Sequence, residues 1–149
     1  MYYSYVNDSD GGQAGLLPLL HAAGTAQGYL EDRLTGLGLS LPKLAALRVL
    51  SEAGEALPLG QLAERLSCVK SNITQLVDRL EADGFVTREQ DPNDRRARLA
   101  VLTVKGHKAF EEGTRVQQQT DKDLFGSLSP EEGRQLASLL LKVQRQTGG

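Results

Sequence analysis

Apolar residues recur at helical spacing along most of the chain, and the places where that rhythm breaks divide it into elements. Residues 1–11 are polar and glycine-containing and read as a flexible tail. From about residue 12 to Gly36, Leu16, Leu17, Leu20, Leu30 and Leu34 predict a helix. Gly24 and Gly28 interrupt it; each costs about 1 kcal/mol relative to alanine in a helix interior, which points to a kink or a close helix–helix approach. Ser40-Leu41-Pro42 then supplies a capping hydroxyl and a proline in the first turn, Leu44, Leu47 and Leu50 follow, and Gly54 is the stop. Ala56-Leu57-Pro58 reads as a brief extended segment. A compact helix over Leu59–Leu66 buries Leu59, Leu62, Ala63 and Leu66. About three residues on, a second helix from about Lys70 to Asp83 buries Ile73, Leu76, Val77 and Leu80, the i, i+3, i+4, i+7 stripe of an amphipathic helix. Gly84 suits the left-handed residue that closes it.

After Gly84 the period changes. Phe85–Gln90 is β-rich at its start, Asp91-Pro92-Asn93-Asp94 is dense in turn formers, and Ala97–Thr103 reads as the returning strand. The unit is a hairpin with a long basic tip, since Arg95, Arg96 and Arg98 fall together there. Thr103 caps the next helix, which carries Phe110, Val116 and Leu124; Gly106 and Gly113 leave its bounds open. Ser129-Pro130-Glu131-Glu132 combines an N-cap serine, a proline at the first helical position and a glutamate three residues on, and Leu136, Leu139, Leu140 and Val143 form the stripe behind it.

Two short helices joined by a tight turn and followed by a basic hairpin describe a winged helix-turn-helix. The fold class is mainly α (α+β). A winged lobe spans 40–103 with a two-stranded wing, and terminal helices, 12–36 and 104–147, form a dimerisation region. The dimer has a physical motive, because the terminal leucine stripes have no obvious partner in so small a lobe and a two-fold copy would bury them. Opposite the buried stripe of the second helix stand Lys70, Ser71, Asn72, Thr74, Gln75 and Arg79. Asparagine and glutamine pair with adenine edges and a threonine methyl meets that of thymine, while Lys70 and Arg79 are placed for phosphates. A basic hairpin tip beside this helix can enter a narrow minor groove. A solvated helix face looks the same, so a winged-helix adaptor that binds protein rather than DNA is the rival reading.

Composition adjusts this picture in a few places. The net charge of −2 hides an uneven distribution: residues 70–108 hold eight basic and six acidic side chains, leaving nine basic and thirteen acidic elsewhere. At 149 residues there is room for one domain, or one domain with dimerising arms. The apolar runs fall far short of the ~20 residues of a membrane span, and the chain lacks a secretory start, so a cytoplasmic protein without a membrane partner is expected. The single cysteine, Cys68, precludes an intrachain disulfide and reads as a small hydrophobe; a Cys68-based redox response is the alternative. His21 and His107 fall on separate elements, Glu111-Glu112 reads as a solvated face, and no metal or other cofactor is expected. No phosphate loop, nucleophile elbow or catalytic triad is present, so an enzyme is the weakest class.

Leu62-Ala63-Glu64-Arg65-Leu66, the run Ile73-Thr74-Gln75-Leu76-Val77-Asp78-Arg79-Leu80-Glu81-Ala82-Asp83-Gly84-Phe85-Val86, the wing Asp91-Pro92-Asn93-Asp94-Arg95-Arg96-Ala97 and Leu102-Thr103-Val104-Lys105-Gly106 together resemble the MarR-type transcriptional regulators. The resemblance spans nearly the whole chain. It implies an obligate homodimer with interleaved first and last helices, two lobes on a pseudo-palindromic double-stranded DNA site, and release by a small, often aromatic, effector. It also implies that Arg96 enters the minor groove, that Asp94 orients it by a charge-assisted hydrogen bond, and that Arg95 sits on phosphate. Two positions depart from the common pattern. Val69 stands where many members have a capping serine, a cap worth ~1 kcal/mol unless Ser67 or Ser71 substitutes. Gln75 stands where many have arginine, which exchanges a guanine-preferring contact for an adenine-preferring one. The effector-binding residues are open, with Tyr29 and Arg33 facing either a pocket, solvent or a dimer contact.

Overall fold

A computed structural model describes residues 14–66 and 70–148. The expected flexible tail therefore lies outside the described residues, as do Ser67, Cys68 and Val69 with the capping and redox readings attached to them. The element order is α1 (Leu16–Thr35), α2 (Leu41–Ala53), β1 (Leu57–Pro58), α3 (Leu59–Leu66), α4 (Lys70–Ala82), β2 (Val86–Asp91), β3 (Asp94–Leu102), α5 (Val104–Phe125) and α6 (Pro130–Arg145). The chain divides into two compact units, one up to Val116 and one from Gln117.

In the first unit, local chemistry sets the ends of the helices. Ser40 accepts the Lys43 N–H at 3.3 Å through its hydroxyl, Pro42 sits in the first turn of α2, and Gly54 closes it in the left-handed region at φ 67°. Gly84 closes α4 in the same way at φ 79°. The Thr103 hydroxyl accepts the Gly106 N–H at 3.0 Å and donates to the Gly84 carbonyl at 2.6 Å, which caps α5 and ties it to the end of α4. Leu34 of α1, Leu44, Ala46, Leu47 and Leu50 of α2, Leu57 of β1, Leu62 and Ala63 of α3, Ile73, Val77 and Leu80 of α4, and Phe85, Val86, Ala100 and Ala109 join in one buried core. Each fully buried leucine contributes roughly 1.5–3 kcal/mol.

The expected two-stranded wing is formed by β2 and β3, and the sheet differs from the sequence pattern in two details. It has three strands in the order β1-β3-β2, all antiparallel, because Leu57 pairs with Ala100 and Pro58 with Leu99. Pro58 is tolerated on this edge strand, where no ladder bond needs its nitrogen. The returning strand also begins at Asp94 rather than Ala97, leaving Pro92 and Asn93 as the turn. The register then slips between the pairs Gln90–Arg98 and Asp91–Asp94, so Arg95, Arg96 and Ala97 have no Cα partner on β2. The wide basic tip is thus a bulge within the strand, closed by two Asx bonds: Asp91 Oδ1 accepts the Asn93 N–H and Asp94 Oδ1 the Arg96 N–H, both at 2.9 Å.

The glycines behave differently from one another. In α5, a Cβ on Gly113 would press on the side-chain tips of Leu39 and Leu44 at 2.7–2.8 Å, and one on Gly106 would meet the Phe85 carbonyl. These two positions lie seven residues apart on one face of the helix and permit its close approach to the core. Gly28 in α1 has open space around it, so no close packing of the described residues accounts for it.

In the second unit, Ser129 and Glu132 form the anticipated capping box at the start of α6: Glu132 N–H donates to Ser129 Oγ at 3.1 Å and Ser129 N–H to Glu132 Oε1 at 2.9 Å. Those two bonds hold the Glu132 carboxyl below its ordinary pKa, the Ser129 backbone bond being the larger cause. Leu139, Leu140, Leu141 and Val143 of α6 are exposed, as are Leu16, Leu17, Leu19 and Leu20 of α1 in the first unit.

Candidate nucleic-acid interface

The candidate surface is built on α4. Ile73, Val77 and Leu80 bury one side of the helix and Leu76 is half-buried, which turns Asn72, Thr74, Gln75, Asp78 and Arg79 outward. Lys70 and Ser71 begin the helix, but their side chains lie outside the described residues. α3 packs against α4 and buries Leu62 and Ala63. The hairpin that follows places Asp94, Arg95, Arg96 and Arg98 in exposed positions on β3. Among the described residues, no ion pair engages Arg79, Arg95, Arg96 or Arg98, which leaves four guanidinium groups open to an anionic partner.

Asp94 meets Arg96 through a charge-assisted hydrogen bond to the backbone. The carboxylate accepts the backbone N–H of Arg96 and so shapes the loop that presents the arginine. Tyr29 and Arg33, one turn apart on α1, pair with each other: the guanidinium donates to the phenol oxygen and lies 4.3 Å from the ring centroid.

One residue that the sequence reading passed over stands at the junction of helix and wing. Arg88 of β2 reaches α4, where its guanidinium donates to the Thr74 carbonyl at 3.2 Å, pairs with the Asp78 carboxylate, and approaches Glu81 Oε1 at 3.5 Å. Its backbone N–H donates to Glu81 Oε2 at 3.2 Å. These partners lie seven to fourteen residues away in sequence, and no local pattern announces them.

Two consecutive helices packed on a shared core, the second with an outward polar face and followed by an arginine-bearing hairpin, make this unit a winged helix-turn-helix lobe. The MarR family model matches residues 39–97, from just before α2 into β3. The HTH-type transcriptional regulator YkoM of Bacillus subtilis is 37% identical over 106 residues, covering 71% of this chain and 68% of that protein. A MarR-like transcription regulator from Bacillus cereus superposes with a TM-score of 0.77 at 27% identity, over 87% of this chain and 92% of that one. A cysteine-to-serine mutant of MarR from Escherichia coli, complexed with operator DNA, gives a TM-score of 0.74 at 27% identity, over 85% of this chain and 91% of that one. The chain belongs to the MarR family.

Proposed function

We propose that this protein is a homodimeric, sequence-specific regulator of transcription that binds double-stranded DNA, repressing until a small molecule releases it. The observation that carries this reading is the outward face of α4, with Asn72, Thr74, Gln75 and Arg79 exposed, on the same lobe as a bulged wing tip that offers Arg95 and Arg96. Asn72, Thr74 and Gln75 read base edges in the major groove with Ser71, while Lys70, Arg79 and Arg95 take phosphates and Arg96 enters the flanking minor groove. The likeness to MarR on operator DNA supports the same use of the lobe. Exposed leucines on α1 and on α6 support the dimer, since a second copy would remove them from water.

Two lobes related by a two-fold axis reach half-sites one DNA turn apart, roughly 34–36 Å. An effector acts by favouring a lobe spacing that no longer fits successive grooves, which requires only that it bind that conformer better. The protein works in the cytoplasm, and among the described residues no helix is long and apolar enough to cross a membrane. No catalytic step is assigned to it.

Selection of bound duplexes from a random library tests the reading. A pseudo-palindrome with half-sites about 10 base pairs apart, bound with a steep loss of affinity as salt rises, is the expected result. No enriched sequence and no salt dependence would overturn it in favour of an adaptor.

A further inference from the structure

We infer that Arg88 is a positioning residue that joins the recognition helix and the wing into one rigid reading head. The inference rests on the DNA-reading function proposed above and deepens it. Thr74, Asp78 and Glu81 are spaced i, i+4, i+7 and line one flank of α4. The Arg88 guanidinium meets all three, and its own N–H adds a second bond to Glu81. Arg88 pairs with Ala100 in the middle of the β2–β3 ladder, so the strand it anchors is paired on the side that leads to Arg95 and Arg96. The contacts therefore connect the groove-facing residues of α4 to the arginines of the tip through one side chain and one strand pair.

The chemistry of the site calls for arginine. A planar fork with several donors engages a backbone carbonyl and two carboxylates together, whereas a lysine ammonium is a compact point charge on a flexible stem. The same guanidinium offsets the carboxylates of Asp78 and Glu81, which stand on a helix that must approach phosphates. Charge compensation alone would be kept by lysine; a fixed angle between helix and wing would not.

A double-mutant cycle on the selected operator separates these roles. Arg88→Gln is expected to weaken operator binding about tenfold in the otherwise native protein, and less than about twofold when Arg96 is already alanine, because a loosened wing without its arginine has little left to lose. Arg88→Lys is expected to behave like Arg88→Gln. Asp78→Asn, which opens the site from the helix side, is expected to lower affinity for the operator while leaving binding to random duplex unchanged or stronger. Equal losses in both Arg96 backgrounds, native binding by Arg88→Lys, or a gain in operator affinity by Asp78→Asn would each overturn the inference.

A measurement without DNA keeps the inference separate from the function it rests on. Backbone amide order parameters of Arg95, Arg96 and Ala97 in the free protein should fall in Arg88→Gln while those of Ile73, Val77 and Leu80 stay constant. Unchanged values at the tip would overturn the coupling whatever the duplex experiments show. Failure of the native protein to select any duplex would overturn only the DNA-reading function.

Discussion

Gly106, in the first turn of α5, passes so close to the carbonyl oxygen of Phe85 that a Cβ at position 106 would stand 2.1 Å from it. That carbonyl is already committed, accepting the Thr103 N–H at 3.0 Å, so it has little room to retreat. Gly106→Ala is therefore expected to destabilise the protein by about 1–3 kcal/mol, the range for overpacking a filled site. Gly113→Ala should cost less, since its nearest neighbours are the flexible tips of Leu39 and Leu44. Urea unfolding of the two variants side by side checks both the size and the order.

Removal of the wing-tip arginine should be visible in sequence preference as well as affinity. Arg96→Ala is expected to weaken operator binding by about 1–3 kcal/mol and to flatten the preference for A·T pairs beside the half-sites. Duplex selection repeated with the variant measures this, and an unchanged flanking preference would count against a minor-groove role for the tip.

Gln75 is exposed on α4 and open to exchange without disturbing the core. Gln75→Arg is expected to shift one base in each half-site from adenine towards guanine, a discrimination of about 1–3 kcal/mol. Binding titrations on operators that differ only at that base pair would show the reversal.

The capping box of α6 carries a pH dependence of defined sign. The two bonds with Ser129 lower the Glu132 pKa in the folded protein. The stability they bring is therefore fully present above the unfolded carboxyl value and is lost as pH falls through the folded one. Glu132→Ala should be less stable than the native chain at neutral pH, with the gap closing in acid. Thermal melts across the acid range check the trend; a gap that widened in acid would contradict it.

Much of this architecture was legible because the governing interactions are local. Ser40 and Pro42 announced α2, Gly54 and Gly84 announced left-handed stops, and Ser129 with Glu132 announced α6. The polar face of α4 followed from the spacing of Ile73, Val77 and Leu80. The two-residue strand β1 was too short to show a period, and its pairing with β3 joins residues some forty apart. Asp91, Asn93 and Asp94 mark a turn in the sequence; that Arg95, Arg96 and Ala97 beyond it belong to a bulged strand depends on a register which only the assembled sheet fixes. Arg88 was missed for a related reason. An arginine in a strand has no periodic signature, and the Asp78 and Glu81 carboxylates it meets belong to another element.

Thr103 alone separates the last residue of β3 from the first residue of α5. Its hydroxyl is engaged on both sides, with Gly84 at the end of α4 and Gly106 in α5, and its N–H holds the Phe85 carbonyl. A joint of one fully bonded residue has no slack. A small tilt of the opening turn of α5 is thus handed on to the hairpin as displacement at Arg95 and Arg96, with the strand serving as the arm of a lever. The hairpin and the opening turn of α5 thus share one stiff joint and are set at a single angle by it.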